Sequence, residues 1–409
     1  MRAVVYRGPN DLRLESVPVP RIGPRELLVK VAVCGVCPTD IKKIQYGTVP
    51  PPRIFGHETA GTIVRVGARA RQFKVGDRVT LHHHVPCLEC HACRHRAFAQ
   101  CAQYKRTGIT AGFEPAGGGY AEYVRVMPFV LPGVVKIPRR NSFLEGALLE
   151  PVNTVLKAVK RLALLPNDTV LVAGQGPIGL MFTRLLALRG VTVLATDLLE
   201  SRLDLACQFG ARHTYAVPAG RSAEGEGRSA EDAGRTTGAP ASAGSPTPEG
   251  GRKTEDAGGT GAGATPRASG PRSLAELVQR VTAGRGLDAA AIAVPLVAVV
   301  REAQALVRGG GQVLIFSHTR RGQAASLDLA TICVDEKDLL GSYSSDFLLQ
   351  AEVARLVFSR RLDARRLVTH QFPLEQTAAA IALASHPSAD SLKTVVNEEL
   401  DALHSLSTA

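Results

Sequence analysis

The rhythm of apolar and polar residues changes near Pro166. Before it come short β-like runs such as Leu28-Val29-Lys30-Val31-Ala32-Val33 and Gly61-Thr62-Ile63-Val64-Arg65-Val66, punctuated by Gly and Pro. Such runs predict an all-β or mixed lobe over residues 1–135. After Pro166, apolar strands alternate with helical stretches, the mark of a parallel sheet with crossover helices. The pattern predicts strands over 169–173, 191–196, 287–294 and 312–316, with helices over 177–189, 273–282 and 296–307. Four further elements are expected: helix 348–360, strand 368–372, helix 375–386 and strand 393–396.

One segment fits no core. From Pro218 to Arg272 there is no Val, Leu, Ile, Phe, Tyr or Met, so nothing there offsets the entropy of ordering. Its acidic and basic side chains are equal in number, and Glu231-Asp232-Ala233-Gly234 recurs as Glu255-Asp256-Ala257-Gly258. The segment reads as a flexible low-complexity insertion in a strand-to-helix connection, where a loop grows at small entropic cost.

Composition narrows the function. A chain of 409 residues, 45% hydrophobic, is long enough for two domains and a sizeable core. The net charge of +12 belongs to the residues outside the insertion. Basic pairs at Arg139-Arg140, Arg320-Arg321, Arg360-Arg361 and Arg365-Arg366 are scattered, and Trp is absent. No nucleic-acid partner is therefore expected, although the charge favours anionic ligands. The longest apolar stretch, residues 289–300, is broken by Pro295, and residues 1–30 show no charged-then-apolar leader. No membrane partner is expected either, and the location is expected to be cytoplasmic.

Four cysteines carry the first chemical signal. Cys87, Cys90, Cys93 and Cys101 follow C-x2-C-x2-C-x7-C spacing, which lets one loop wrap a tetrahedral Zn2+. Disulfides are the other reading, but they rarely persist in the cytosol. Four thiolates leave no open position, so this metal braces a lobe and chemistry lies elsewhere.

Gly174-Gln175-Gly176-Pro177-Ile178-Gly179 is the second signal. G-x-G-x-x-G alone is weak; here it follows a strand, opens a helix, and has Asp197 at the end of the next strand. Gly174 permits the turn, Gly176 lets backbone approach a pyrophosphate, and Gly179 allows close helix packing. The helix N-terminus, from Pro177 and Ile178, faces the phosphates with its positive end. Asp197 suits free ribose hydroxyls and repels a 2′-phosphate, so NAD is expected over NADP. Arg202 weakens that expectation, since a nearby cation is able to meet a phosphate.

In the first lobe, Cys34-Gly35-Val36-Cys37-Pro38-Thr39-Asp40 and Gly56-His57-Glu58 precede the four-cysteine loop, and Glu150-Pro151 follows it. A thiolate, an imidazole and a carboxylate make a mixed set suited to a catalytic zinc that keeps one position for substrate. Singly, each has a plain structural explanation. Beside a dinucleotide motif and a separate zinc loop, coincidence is a poor account.

In these motifs, and in their order, the chain resembles the zinc-dependent medium-chain dehydrogenases. Glu150-Pro151 is similar to the polyol and threonine dehydrogenase branch. The resemblance covers nearly all of the chain outside 218–272. It implies a catalytic zinc on Cys37, His57 and a carboxylate, either Glu58 or Glu150, in addition to the structural zinc. It implies hydride transfer from a secondary alcohol, such as a polyol, a sugar or a 3-hydroxy amino acid, to NAD. Thr39 matches the family's relay hydroxyl. The histidine usual five residues after the cysteine is replaced by Lys42, so Lys42, Lys43 or water would serve. The runner-up is a non-catalytic nucleotide-binding relative, which has no need of Cys37, His57 and Glu150 together.

The implied fold is α/β: a GroES-like β lobe over 1–152, with the structural-zinc loop at 82–105, and a Rossmann doubly wound parallel sheet over 153–342. Residues 343–409 return to the first lobe. A homodimer or homotetramer is implied by the resemblance alone. Of the remaining candidates, His82-His83-His84 reads as exposed lobe surface, and Cys207 and Cys333 as core. Cys34 is expected to pack beneath the site, and Tyr46, Phe113 and Gly117-Gly118-Gly119 are candidates for the border of the substrate cleft.

Overall fold

A computed structural model describes residues 1–82, 85–103, 117–218, 272–317, 319 and 322–398. Residues 219–271 of the 218–272 insertion, with His83, His84 and Phe113, lie outside the described residues.

The first lobe is built from β1 (Arg2–Gly8), β2 (Asp11–Ser16), β3 (Leu27–Gly35), α1 (Pro38–Tyr46), β4 (Arg53–Ile54), β5 (Glu58–Val66) and β6 (Arg78–Thr80). After the short helix α2 (His91–Arg94) come β7 (Tyr123–Val126) and β8 (Val135–Lys136). β3 and β5 are the central antiparallel pair, with Gly35 opposite Glu58 and Cys34 opposite Thr59. Pro38 opens α1 and Gly47, at φ 62°, closes it, the positions each residue favours. A capping box starts α3 (Phe143–Ala147): Ser142 accepts from the Glu145 N–H, and Glu145 accepts from the Ser142 N–H. Helix α4 (Leu149–Val159) follows at once and carries Glu150 in its first turn.

The second unit alternates strand and helix. It runs β9 (Thr169–Ala173), α5 (Pro177–Ala187), β10 (Thr192–Asp197), α6 (Glu200–Phe209), β11 (His213–Ala216), α7 (Leu274–Val281), β12 (Leu287–Ile292), α8 (Val297–Leu306), β13 (Val307–Ile315), α9 (Leu329–Val334) and β14 (Asp338–Gly341). The spatial order β11-β10-β9-β12-β13-β14 is a doubly wound sheet with its switch point between β9 and β12. Every pairing in it is parallel. Burial alternates sides along each strand: Val170, Val172, Val193 and Ala195 pack into one core, while Leu171, Ala173 and Leu194 pack into the other. A sheet covered on both faces needs strands that are apolar over most of their length, which is how β9 after Thr169 and β12 after Asp288 read.

The chain then forms α10 (Gln350–Phe358), β15 (Val368–Phe372), α11 (Thr377–Ser385) and β16 (Lys393–Asn397). β16 pairs antiparallel with β3, setting Val396 against Cys34, so the C-terminal part of the chain completes the first sheet.

Element boundaries differ from the sequence pattern mainly at β13, which begins at Val307 and runs through Gly309-Gly310-Gly311. Three glycines hide a strand from propensity, yet tertiary pairing with β12 holds it. Two side-chain expectations also fail. Cys207 and Cys333 are exposed, because each falls on the outer side of its helix. His82 is fully buried, pressed beneath Gly133, where an added Cβ would meet the His82 Cβ at 2.6 Å.

Candidate active site and metal centres

The first donor set forms where β3, α1 and β5 meet. Cys37 is the cap residue of α1, and Glu58 begins β5 directly across from Gly35. A side chain at 35 cannot coexist with this arrangement, since its Cβ would sit 1.9 Å from Glu58 Oε2. Gly56, at φ +94°, turns the chain so that His57 enters the same pocket. Donor atoms of Cys37, His57 and Glu58 all lie within 4.8 Å of one another.

Two residues that the sequence reading gave no role hold this set. Asp40, 1% exposed, places Oδ2 3.0 Å from His57 Nδ1 and accepts the Gly56 N–H with the same oxygen. That contact occupies Nδ1, so Nε2 is the ring nitrogen turned toward Cys37 and the pocket. Lys393 reaches from β16 to lie 2.7 Å from Glu58 Oε1 and 2.6 Å from Oε2, and it also donates to the Val36 carbonyl. Asp40 stands three residues after Cys37, a spacing that already hinted at a partner. Lys393 has no local signal, because only the return of β16 brings it in.

Electrostatics favour a cation here. Burial opposes charge on His57, but Asp40 and Cys37 outweigh it and raise the ring well above its ordinary value. Glu150, on α4 and 6% exposed, is pushed up to about 7 by burial; His57 and Lys393 pull it down while Glu58 pushes it further up. Glu150 Oε1 accepts from Thr154 Oγ1 at 3.3 Å, and Glu150 is outside the tight donor group. A pocket of soft sulfur, imidazole and carboxylate that raises its own histidine fits Zn2+.

Around this set, Cys34 is buried beneath Gly56 and Gly119, its thiol pushed up to about 12 by burial. Thr39 is half-buried in the first turn of α1. Lys42 is half-buried, with burial lowering its ammonium and the Cys37 charge raising it. Tyr343, which the sequence reading did not single out, feels His57, Cys37 and Glu150 together, and burial raises its phenol. Tyr46 is exposed at the far end of α1.

The second donor set is the four-cysteine loop. Cys87, Cys90, Cys93 and Cys101 bring their sulfurs within 4.8 Å of one another. Cys93 Sγ lies 3.5 Å from Cys90 Sγ and 3.9 Å from Cys87 Sγ. Zn–S bonds of about 2.3 Å place tetrahedral sulfurs about 3.8 Å apart, so the cage has the right size. The Cys90 N–H points at Cys87 Sγ and the Cys87 N–H at Cys101 Sγ, as thiolates require.

At the switch point of the parallel sheet, each glycine of the third motif has its own reason. Gly174 has φ +88°, and a Cβ there would strike Val294. Gly179 sits so close to Gly174 that a Cβ would lie 1.7 Å from its carbonyl oxygen. At Gly176 a Cβ would meet nothing within 4 Å, leaving an open cradle above the first turn of α5, where Pro177 and Ile178 follow. Asp197 ends β10; its Oδ2 accepts the Gln175 N–H at 2.6 Å and its Oδ1 the Leu199 N–H at 3.0 Å. Arg202 Nη1 stands 4.0 Å from Asp197, and Nη2 donates to the Ser391 carbonyl.

Residues 23–139 match the alcohol dehydrogenase GroES-like domain. The chain is 28% identical over 404 residues to sorbitol dehydrogenase of Bacillus subtilis (strain 168), covering 97% of each. It is 33% identical over 221 residues to sorbitol dehydrogenase of Gallus gallus, covering 53% of this chain and 60% of that protein. A structure from Sinorhizobium meliloti 1021 bound to NADP superposes with a TM-score of 0.75 at 25% identity, covering 97% of this chain and 98% of that one. The fold is shared with 2R,3R-butanediol dehydrogenase from Bacillus subtilis, at TM-score 0.73 and 22% identity, covering 97% of this chain and 99% of that one.

Proposed function

We propose that the chain is a member of the zinc-dependent medium-chain dehydrogenase family, polyol branch, and a zinc-containing oxidoreductase that moves hydride from a secondary alcohol of a polyol to NAD. The observation that carries this is the convergence of Cys37, His57 and Glu58 within 4.8 Å, beside a dinucleotide cradle. Cys37, His57 and Glu58 would hold the catalytic zinc, with Glu150 bordering the substrate position. Cys87, Cys90, Cys93 and Cys101 would hold a second, structural zinc. When bound, zinc supplies Lewis acidity toward the alcohol hydroxyl and the nicotinamide supplies the hydride acceptor.

The chain's own residues position and move protons. Asp40 fixes the ring of His57 through Nδ1, and Lys393 fixes the carboxylate of Glu58. The hydroxyl of Thr39 takes the alcohol proton toward solvent, with Lys42 at the outer end. Gly176 lets the cofactor's pyrophosphate approach backbone, and Asp197 receives the ribose hydroxyls. The functional division follows as a catalytic lobe of 1–152 and 343–409 around a cofactor domain of 153–342. We infer a homo-oligomer in the cytoplasm. Among the described residues no helix is long and apolar enough to cross a membrane. A binding-only relative gains nothing from a metal set braced by two buried charged partners.

The test is turnover. Purified protein is assayed with neutral and charged polyols, L-threonine and simple alcohols, and NADH formation is followed at each. Oxidation of a polyol, lost in Cys37→Ala, is the expected result. Protein with its zinc in place that oxidises none of these alcohols would overturn the reading.

A further inference from the structure

A cavity lies at the end of α4 opposite to Glu150. It measures about 790 Å3 and lies between the four-cysteine loop, α4 and the ends of β13 and β14. Its lining is basic from two independent directions. Arg96 comes from the loop, while Lys157, Lys160 and Arg161 come from α4 and the residues just after it, spaced so that they share one helix face. Asp346 is the carboxylate among them, and its Oδ1 is committed to the Leu348 N–H. Lys160 is paired with Glu352 at 2.8 Å, which leaves Arg96, Lys157 and Arg161 against the one charge of Asp346, felt by Lys157.

These three are used only lightly by the protein. Lys157 donates to the Tyr343 carbonyl at 2.9 Å, and Arg161 donates to the Gly341 carbonyl, contacts that aim both cations at the cavity wall without neutralising them. Arg96 is exposed and makes no ion pair among the described residues. Ser342 lines the same cavity, is 6% exposed, and its Oγ has no hydrogen-bond partner among the described residues. A buried hydroxyl without a hydrogen-bond partner, beside three cations that the single Asp346 carboxylate offsets only in part, is a site for acceptor oxygens.

The cavity's position relates it to the substrate. Tyr343 lines it and also feels the charges of His57, Cys37 and Glu150. On α4, Glu150 faces the donor set and Lys157 faces the cavity, two turns and about 10 Å further along the axis. A five- or six-carbon chain ending in an anionic group covers that distance.

We propose that this cavity, through Arg96, Lys157, Arg161 and Ser342, binds a terminal anionic group of the substrate, so that the preferred alcohol is a polyol bearing a phosphate or a carboxylate. The proposal rests on the dehydrogenase reading above and names its substrate class. The carbon oxidised stands at the Cys37–His57–Glu58 set, and the anion at the far end is held but unchanged.

The experiment has three substrate arms and one binding arm. Rates with a hexitol, its terminal phosphate and the corresponding aldonate are compared in the intact protein. Binding of inorganic phosphate is measured by calorimetry without alcohol or cofactor. At least one anionic substrate should exceed the neutral hexitol about tenfold or more in kcat/KM, and which one identifies the anion as phosphate or carboxylate. Arg96→Gln, at an exposed position, should raise KM for that substrate and weaken phosphate binding about tenfold, leaving kcat and the neutral hexitol's KM unchanged. Equal rates for neutral and anionic polyols, with no phosphate bound, would overturn the proposal while leaving the dehydrogenase reading intact. Phosphate that competes with NAD, not with the alcohol, would also overturn it, by assigning the cavity to the cofactor. Phosphate bound in an Arg96-dependent way, in protein that oxidises no alcohol, would uphold the anion site and sink the enzyme reading.

Discussion

Lys393 Nζ lies 2.6 Å from Glu58 Oε2, joining the last strand of the first sheet to the strand that carries the donor set. Both side chains are buried, so the pair screens neither partner with water. In metal-free protein, removing the lysine leaves a carboxylate buried without its countercharge, which typically costs about 3–5 kcal/mol. Lys393→Met should therefore lower unfolding stability by several kcal/mol in urea, and Lys393→Met with Glu58→Gln should recover most of it. A single variant as stable as the parent would show that water or another cation replaces the ammonium.

Asp40 acts on the metal set through His57. Its Oδ2, 3.0 Å from Nδ1, selects which nitrogen faces the pocket. Loss of such a partner usually weakens metal binding about 10–100-fold. Asp40→Asn should keep the fold and lose zinc from this set at lower chelator concentrations, while the four-cysteine loop keeps its metal. Unchanged chelator sensitivity would mean that the Cys37 and Glu58 contacts alone fix the ring.

Much of this was legible in the sequence, for physical reasons that differ by element. β9 and most of β12 are apolar because both faces are covered, and G-x-G-x-x-G is readable because Gly174 and Gly179 each meet a steric demand while Gly176 keeps the cradle open. The four cysteines are close in sequence, so their spacing carries their geometry. Lys393 was not legible: it reaches Glu58 across the whole chain, and nothing near residue 393 announces a buried ion pair. Cys207 and Cys333 misled because cysteine is usually buried, whereas here helix phase turns both outward. The basic cavity was hidden in the same way, since Arg96 and Lys157 belong to different elements and their shared surface exists only after folding.

Acid should unfold the protein partly through Glu145. Burial raises this carboxyl, but the Ser142 N–H, Asn141 and Arg360 outweigh burial and hold it below 4.5. A depressed folded-state pKa gives stability that is fully present above the unfolded value and lost as pH falls through the folded one. Melting temperature should thus fall as pH drops below about 4.5, the ordinary glutamate range. Glu145→Gln should melt lower than the parent at pH 7 and show a shallower decline in acid. Parallel curves for the two proteins would remove Glu145 from the acid response.

The two metal sets should separate on mutation. Cys37 belongs to a set of three donors, whereas Cys93 is a buried member of a set of four sulfurs that fills a tetrahedral site. A closed cage contributes its binding energy to folding. Cys37→Ala should abolish turnover with a small change in melting temperature, and Cys93→Ala should lower the melting temperature strongly. Elemental analysis should find two zinc ions per parent chain and one in each variant. Equal melting losses would contradict the division of roles.

Cofactor choice rests on Asp197. Its carboxylate ends β10 and is oriented by the Gln175 and Leu199 N–H groups, so its charge has a fixed place where the proposed cofactor's adenosine ribose would lie. That charge favours free hydroxyls and opposes a 2′-phosphate. Arg202 pulls the other way from 4.0 Å, but its Nη2 is engaged by the Ser391 carbonyl. The parent protein should show much higher kcat/KM with NAD than with NADP. Asp197→Ser should narrow the gap, mainly through KM for NADP, and Asp197→Ser with Arg202→Ala should reopen it by removing the cation that meets the phosphate. A parent protein that prefers NADP would place Arg202, not Asp197, in control of the ribose site, and the double variant would then lose NADP affinity without gaining any for NAD.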